Sequence, residues 1–206
     1  MEQILFFSSV VIAVIYGGFF RSTKGSNLGS FLKTTPLVLL AVYVGIKDGH
    51  SLLIAALILS ALGDLALSRT GQPAFLAGLI SFAIAHIMYS LLFAQYFENA
   101  NTVAAVVLIL LCGSSFYWLI PYTKSLRAPV VFYIAIISIM TFFAFSSSIN
   151  MMVLLGVVAF VISDLMLSIR MFRAGEKTPI AEALNIGVWV FYFGGQLMIT
   201  LGLLGF

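Results

Sequence analysis

Charge is what this chain has least of: Asp, Glu, Lys and Arg together make up 8% of its 206 residues, about a third of the share usual in soluble domains. With 62% hydrophobic residues and a mean hydropathy of +1.16, there is too little polar side chain to cover a water-facing surface. The solvent has to be lipid, and at this length one membrane domain, 1–206, fits with no room for a soluble one. Cysteine is nearly absent as well. Cys112 stands alone in an apolar run, which excludes a disulfide framework and a CxxC metal motif and leaves no nearby base to make it a nucleophile. The only histidines are His50, in a loop, and His86, too few for a three-histidine zinc site. No HExxH, GxSxG, Walker A or GxGxxG string occurs. The net charge of +3 is no sign of nucleic-acid binding, because the basic residues lie in short loops between apolar runs. The first apolar run, Ile4 to Phe20, lacks a basic leader and a small-residue cleavage site, and reads as a retained helix.

What is present is a series of apolar runs, and a spanning helix needs about 20 such residues. They fall at roughly 3–20, 29–46, 51–69, 73–97, 102–120, 128–147, 150–170 and 180–205. Runs of this length are not the short alternating strands of a barrel, and backbone groups in lipid must pair within their own segment. The chain is therefore expected to be an all-α integral membrane bundle of about eight transmembrane helices. Orientation follows from the basic residues. Arg21, Lys24, Arg69, Lys124, Arg127, Arg170, Arg173 and Lys177 lie after odd-numbered helices, against Lys47 alone on the other side. This places the odd-numbered loops in the cytoplasm and both termini outside, with a bacterial inner membrane the expected location. An internal echo points to a pseudo-repeat of two parallel four-helix halves, 1–100 and 101–206: Leu62-Gly63-Asp64-Leu65-Ala66-Leu67-Ser68 returns as Ile162-Ser163-Asp164-Leu165-Met166-Leu167-Ser168.

An ionisable residue inside a span costs at least about 2.5–3.5 kcal/mol and is a functional candidate by default. Asp64 and Asp164 precede the basic residue closing their helix by five and six positions, about 8 Å inside the boundary at 1.5 Å per residue. Ser68 and Ser168 follow at i+4 on the same face. Two carboxylates facing each other in a low dielectric tend to share one proton, which suits acid–base catalysis. Structural aspartates bonded to Lys33, Arg69 or helix ends are the alternative. Lys33, at similar depth, either neutralises a carboxylate, receives a lipid phosphate or snorkels to the interface. His86 and Tyr89 share a face of the fourth helix, His86 lying about 10 Å deeper than the aspartates, so that direct contact does not follow. Tyr133, Tyr192 and Gln196 are neutral polar residues of the kind that usually bond neighbouring helices.

Taken in order, these residues resemble the YhhN-like lysoplasmalogenases. The resemblance rests on Gly63-Asp64-Leu65-Ala66-Leu67 and Ser163-Asp164-Leu165-Met166-Leu167, on Gly78 to Phe82 followed by Ala85-His86-Ile87-Met88-Tyr89, on Pro129-Val130 with Tyr133 and Met140, and on Tyr192 with Gln196. One departure is that lysine and proline, usually adjacent in the family's second helix, are here Lys33 and Pro36. The resemblance implies hydrolysis of the vinyl ether bond of a lysoplasmalogen to a fatty aldehyde and glycerophosphocholine or glycerophosphoethanolamine. It implies Asp64 and Asp164 as acid and base in no assigned order, with both carboxylates in one lipid-accessible pocket. It also implies no metal or organic cofactor, a single-chain ether phospholipid as substrate, and Lys33, Tyr133 or loop arginines as phosphate contacts. A proton-coupled transporter using the same aspartates is the rival expectation.

Overall fold

A computed structural model describes residues 2–20, 25–174 and 178–206. The loop residues Arg21, Lys24 and Lys177, which entered the charge count above, lie outside the described residues. Eight α-helices follow one another in the described chain: α1 (Glu2–Ile15), α2 (Asn27–Ile46), α3 (Ser51–Leu67), α4 (Gln72–Ala94), α5 (Thr102–Trp118), α6 (Arg127–Phe145), α7 (Met151–Phe172) and α8 (Pro179–Leu203). A π-helical turn, Tyr16–Phe20, continues α1, and two short 3₁₀ turns join α5 to α6. Among the described residues there is no strand, only an isolated antiparallel bridge between Phe97 and Ser147.

Seven of the helical segments are long and apolar enough to cross a membrane, and the chain is a multi-pass membrane protein. The remaining helix, α3, is equally apolar but has 17 residues, about 25 Å at the α-helical rise. It ends two residues before the apolar run does. Ser68 turns its hydroxyl onto the Leu65 carbonyl at 2.7 Å, and Arg69 reaches sideways to Asn27 Oδ1 at 2.9 Å. Side chains that water would exclude lie open on the outside: Phe19 is 79% exposed, Ile109 70% and Phe132 70%. In lipid that exposure costs nothing.

The helices start where a side chain caps the orphan amides of the first turn. Ser26 accepts from Gly29 N, Asn101 from Ala104 N and Asn150 from Val153 N, at 3.2, 3.0 and 3.0 Å. His50, given no role from sequence, caps α3 by accepting from Leu52 N on Nδ1 at 3.1 Å.

The chain forms two compact units, residues 1–92 with 203–206 and residues 93–202. In the first, α1 is pinned to α2 where Ser9 Oγ donates to the Pro36 carbonyl at 2.8 Å, and an exposed ion pair, Lys47 with Glu2 at 2.9 Å, joins their far ends. α4 closes on α3 through glycines: a Cβ on Gly63 would lie 2.6 Å from the Phe82 ring, and one on Gly78 would meet Leu67 at 2.7 Å.

In the second unit α7 and α8 approach through Gly156 and Gly195. A Cβ on Gly156 would sit 2.8 Å from the Gly195 carbonyl and 2.9 Å from Ile199 N, and backbone cannot swing aside as a flexible side chain can. Small residues of this kind let membrane helices pack by direct backbone contact. Gly156→Ala is therefore expected to lower stability by about 1–3 kcal/mol through overpacking. Gly194→Ala, at a position with open space around its Cβ, leaves the thermal melt in detergent unchanged. Equal melting of the two variants would show that the seam is not tightly held.

Candidate active site

Asp64 stands in the last turn of α3 and is 1% exposed. A carboxylate so placed needs a partner, because an isolated charge in a low dielectric is far costlier than a paired one. Lys33 of α2 supplies it, with Nζ 3.0 Å from Oδ1. Of the alternatives open to Lys33, the structure takes neutralisation, and the two residues inserted before Pro36 do not prevent it. Thr34 and Thr35 turn their hydroxyls back onto the carbonyls of Ser30 and Phe31, so the inserted turn stays helical. Ser68, expected beside Asp64 at i+4, has its hydroxyl engaged elsewhere. It meets Ser30 Oγ at 2.7 Å as well as the Leu65 carbonyl, and so ties the end of α3 to α2.

A residue that sequence reasoning passed over also belongs to this cluster. Tyr16 is 8% exposed, and its phenol lies within electrostatic reach of Asp64. It opens the π-helical turn Tyr16–Phe20, a distortion that recurs at functional sites. The only signal in the sequence was the Tyr-Gly-Gly string inside the first apolar run.

His86 and Tyr89 are fully buried on α4, but the helix register does not bring them to Asp64. Ser81 Oγ donates to the Leu59 carbonyl at 2.6 Å, and Gly78 packs against Gly63. In that antiparallel register His86 comes level with residue 54 or 55, about 14 Å along α3 from Asp64.

In the second unit Asp164, half-buried on α7, accepts a hydrogen bond on Oδ2 from the Tyr133 hydroxyl of α6 at 2.7 Å. Ser168 is half-buried one turn further along α7. Ser163 Oγ donates to the Val188 carbonyl at 2.9 Å and turns that side of α7 toward α8. Tyr192 meets the Phe160 ring edge-on at 5.4 Å between centroids. The register of these contacts sets Tyr192 about 6 Å along the helices from the level of Asp164, and Gln196, fully buried, about 13 Å away. Gln196 thus belongs with the helix packing, as neutral polar residues in spans usually do. Cys112 has its own local partner, Ser138 Oγ at 3.0 Å.

The two aspartates therefore stand in different chemical company. Asp64 is ion-paired with a cation, and Asp164 accepts from a neutral hydroxyl. Among the described residues no group of three His, Cys, Asp or Glu side chains is placed to hold a metal ion. No curated protein and no solved structure matches the chain significantly. A family model does: the model of the YhhN family matches residues 28–203, and the chain belongs to that family.

Proposed function

We propose that this protein is an intramembrane hydrolase that cleaves the vinyl ether bond of lysoplasmalogens, releasing a fatty aldehyde and glycerophosphocholine or glycerophosphoethanolamine. The observation that carries the reading is the unlike partnering of two intramembrane aspartates, one to Lys33 and one to Tyr133. Membership of the YhhN family agrees with it.

A vinyl ether opens when its β-carbon takes a proton, which leaves an oxocarbenium ion on the oxygen-bearing carbon. Water adds to that carbon and gives up a proton, and the resulting hemiacetal collapses to aldehyde and the free glycerol hydroxyl. One proton enters and one leaves, so the proton count of the site is unchanged. Asp164 is assigned the proton donor, since Tyr133, which donates to it, brings no positive charge. Asp64, already paired with Lys33, is assigned the anion that stabilises the cation and receives the proton from water. The proton taken up by Asp64 returns to Asp164 by exchange with water before the next turnover. Glycosidases divide similar labour between two carboxyl groups. Lys33, Tyr133 and Tyr16 are positioning residues in this scheme, and Ser68, Ser168, His86, Tyr89, Tyr192 and Gln196 support the helices around it. The reading places the odd-numbered loops in the cytoplasm and the protein in a bacterial inner membrane, where single-chain lipids of the inner leaflet are at hand.

The test is to incubate the purified protein with a panel of single-chain lipids and look for aldehyde by mass spectrometry. Release from the alkenyl lipid and not from its acyl or saturated alkyl counterpart is expected. Uptake driven by a proton gradient without aldehyde would favour transport instead. Tyr133→Phe removes the donor that stabilises Asp164 as it gives up its proton and should lower kcat about 10- to 100-fold, the worth of one hydrogen bond to the charge that forms in the transition state. An unchanged kcat would take Tyr133 out of the mechanism.

A further inference from the structure

Two arginines stand at the end of α7, Arg170 in its last turn and Arg173 just past it, and the structure treats them differently. Arg173 is committed: its guanidinium lies 4.0 Å over the centre of the Tyr122 ring, and an Nη donates to the Trp118 carbonyl at 3.0 Å. Arg170 is not. Its Nε is buried and has no hydrogen-bond partner among the described residues.

The reason lies in the register of α7 on α8. Gly156 packs on Gly195, and seven residues later Ser163 bonds Val188, itself seven residues before Gly195. Seven residues are almost two helical turns, so a step of seven keeps to one face. The next step sets Arg170 opposite Ala181, which is 2% exposed. Arg170 thus occupies a seam position that α7 fills with glycine and serine higher up. An interfacial arginine ordinarily carries its head out into water. Here Nε is stripped of solvent, while the residue as a whole is only half-buried.

α8 begins at the same level. Ala181 N is capped by Thr178 Oγ1 at 3.1 Å, so by the register of α7 on α8 the positive end of a 25-residue helix stands at the level of Arg170. Glu182, the acid of that first turn, is exposed and sits about 100° around the helix from Ala181. A partly desolvated guanidinium next to a helix N-terminus complements a phosphate group.

We infer that Arg170, held in the α7–α8 seam beside the start of α8, anchors the phosphate of a bound single-chain phospholipid. The lipid in this statement rests on the proposed function; the phosphate chemistry does not, and free phosphate would satisfy it too. The spacing supports the lipid. Arg170 follows Asp164 by six residues, about 9 Å along α7 and about 120° around it. From the β-carbon of a vinyl ether to phosphorus, an extended lysoplasmalogen spans seven bonds, also about 9 Å at the advance per bond of an extended chain. Phosphate at Arg170 sets the alkenyl bond at the depth of Asp164, with the chain passing from the α8 side of α7 toward its α6 side.

The test uses the full-length protein in nanodiscs and needs no turnover, so it stands apart from the failure or success of the hydrolase reading. Lysophosphatidylcholine, a monoacylglycerol of the same chain and inorganic phosphate are the probes, with binding read by native mass spectrometry. Wild type should bind the lysophospholipid at least tenfold more tightly than the monoacylglycerol, and Arg170→Gln should erase that preference. Arg170→Lys should keep part of it, and Lys47→Gln, at the Glu2 ion pair, all of it. Competition by millimolar phosphate would assign the affinity to the anion itself, and its absence to the lipid-borne headgroup. Modification of wild type with phenylglyoxal guards against a variant that does not fold: lysophosphatidylcholine should protect Arg170, and the monoacylglycerol should not. A preference that survives in Arg170→Gln, no preference in wild type, or no protection of Arg170 would overturn the assignment.

Discussion

Asp164→Asn is expected to slow aldehyde release from a lysoplasmalogen by about two to four orders of magnitude, the usual worth of a general acid, with little change in stability. Asparagine has the shape of aspartate, and its amide oxygen can still accept from the Tyr133 hydroxyl, so the contact between α6 and α7 survives. What is lost is the transferable proton. Asp64→Asn should cost a similar factor in rate and also weaken the fold, because it leaves the Lys33 ammonium without its carboxylate. If both carboxylates serve one step, the double variant will be scarcely slower than either single one, since groups acting as a unit are strongly non-additive. Single variants that turn over as fast as wild type would end the carboxylate mechanism.

The second large effect concerns Lys33. Its side chain is 14% exposed and that of Asp64 2%. Removing one partner of such a pair strands the other charge in a low dielectric, at a cost of about 3–5 kcal/mol. Lys33→Met should therefore unfold in mild detergent or fail to accumulate in the membrane. Lys33→Met combined with Asp64→Asn removes both charges and should recover most of the stability while staying inactive. That contrast separates the ion pair as a clamp between α2 and α3 from Asp64 as a reacting group. If Lys33→Met melts with wild type, the clamp is not holding the helices.

The helices and the two aspartates were readable from sequence because both depend on depth alone. An apolar run long enough to span is a span, and a charge inside it has no cheap explanation. Rotation about the helix axis was harder to read. Lys33 had three possible uses at the same depth, and only the packing of α2 on α3 selected Asp64. Ser68 shares the face of Asp64 by count, but the end of the helix turned its hydroxyl onto the Leu65 carbonyl and Ser30. His86 falls away from Asp64 for a reason visible in outline beforehand, its greater depth, and Gln196 lies two turns or more along the helices from the level of Asp164. Tyr16 escaped notice because its position depends on a π-helical turn, and no pattern of apolar residues announces one. The third span was counted at full length because Ser68 and Arg69 extend the run without extending the helix.

The shortness of α3 has a consequence for the membrane around it. At about 25 Å it falls some 5 Å short of a typical hydrocarbon thickness of about 30 Å, and a bilayer meets a short helix by thinning or by drawing polar groups inward. The helix that carries Asp64 is the one at which lipid must dimple. Water and headgroups are brought closer to that carboxylate without a channel being cut for them, and thicker, sterol-stiffened membranes would resist the deformation most.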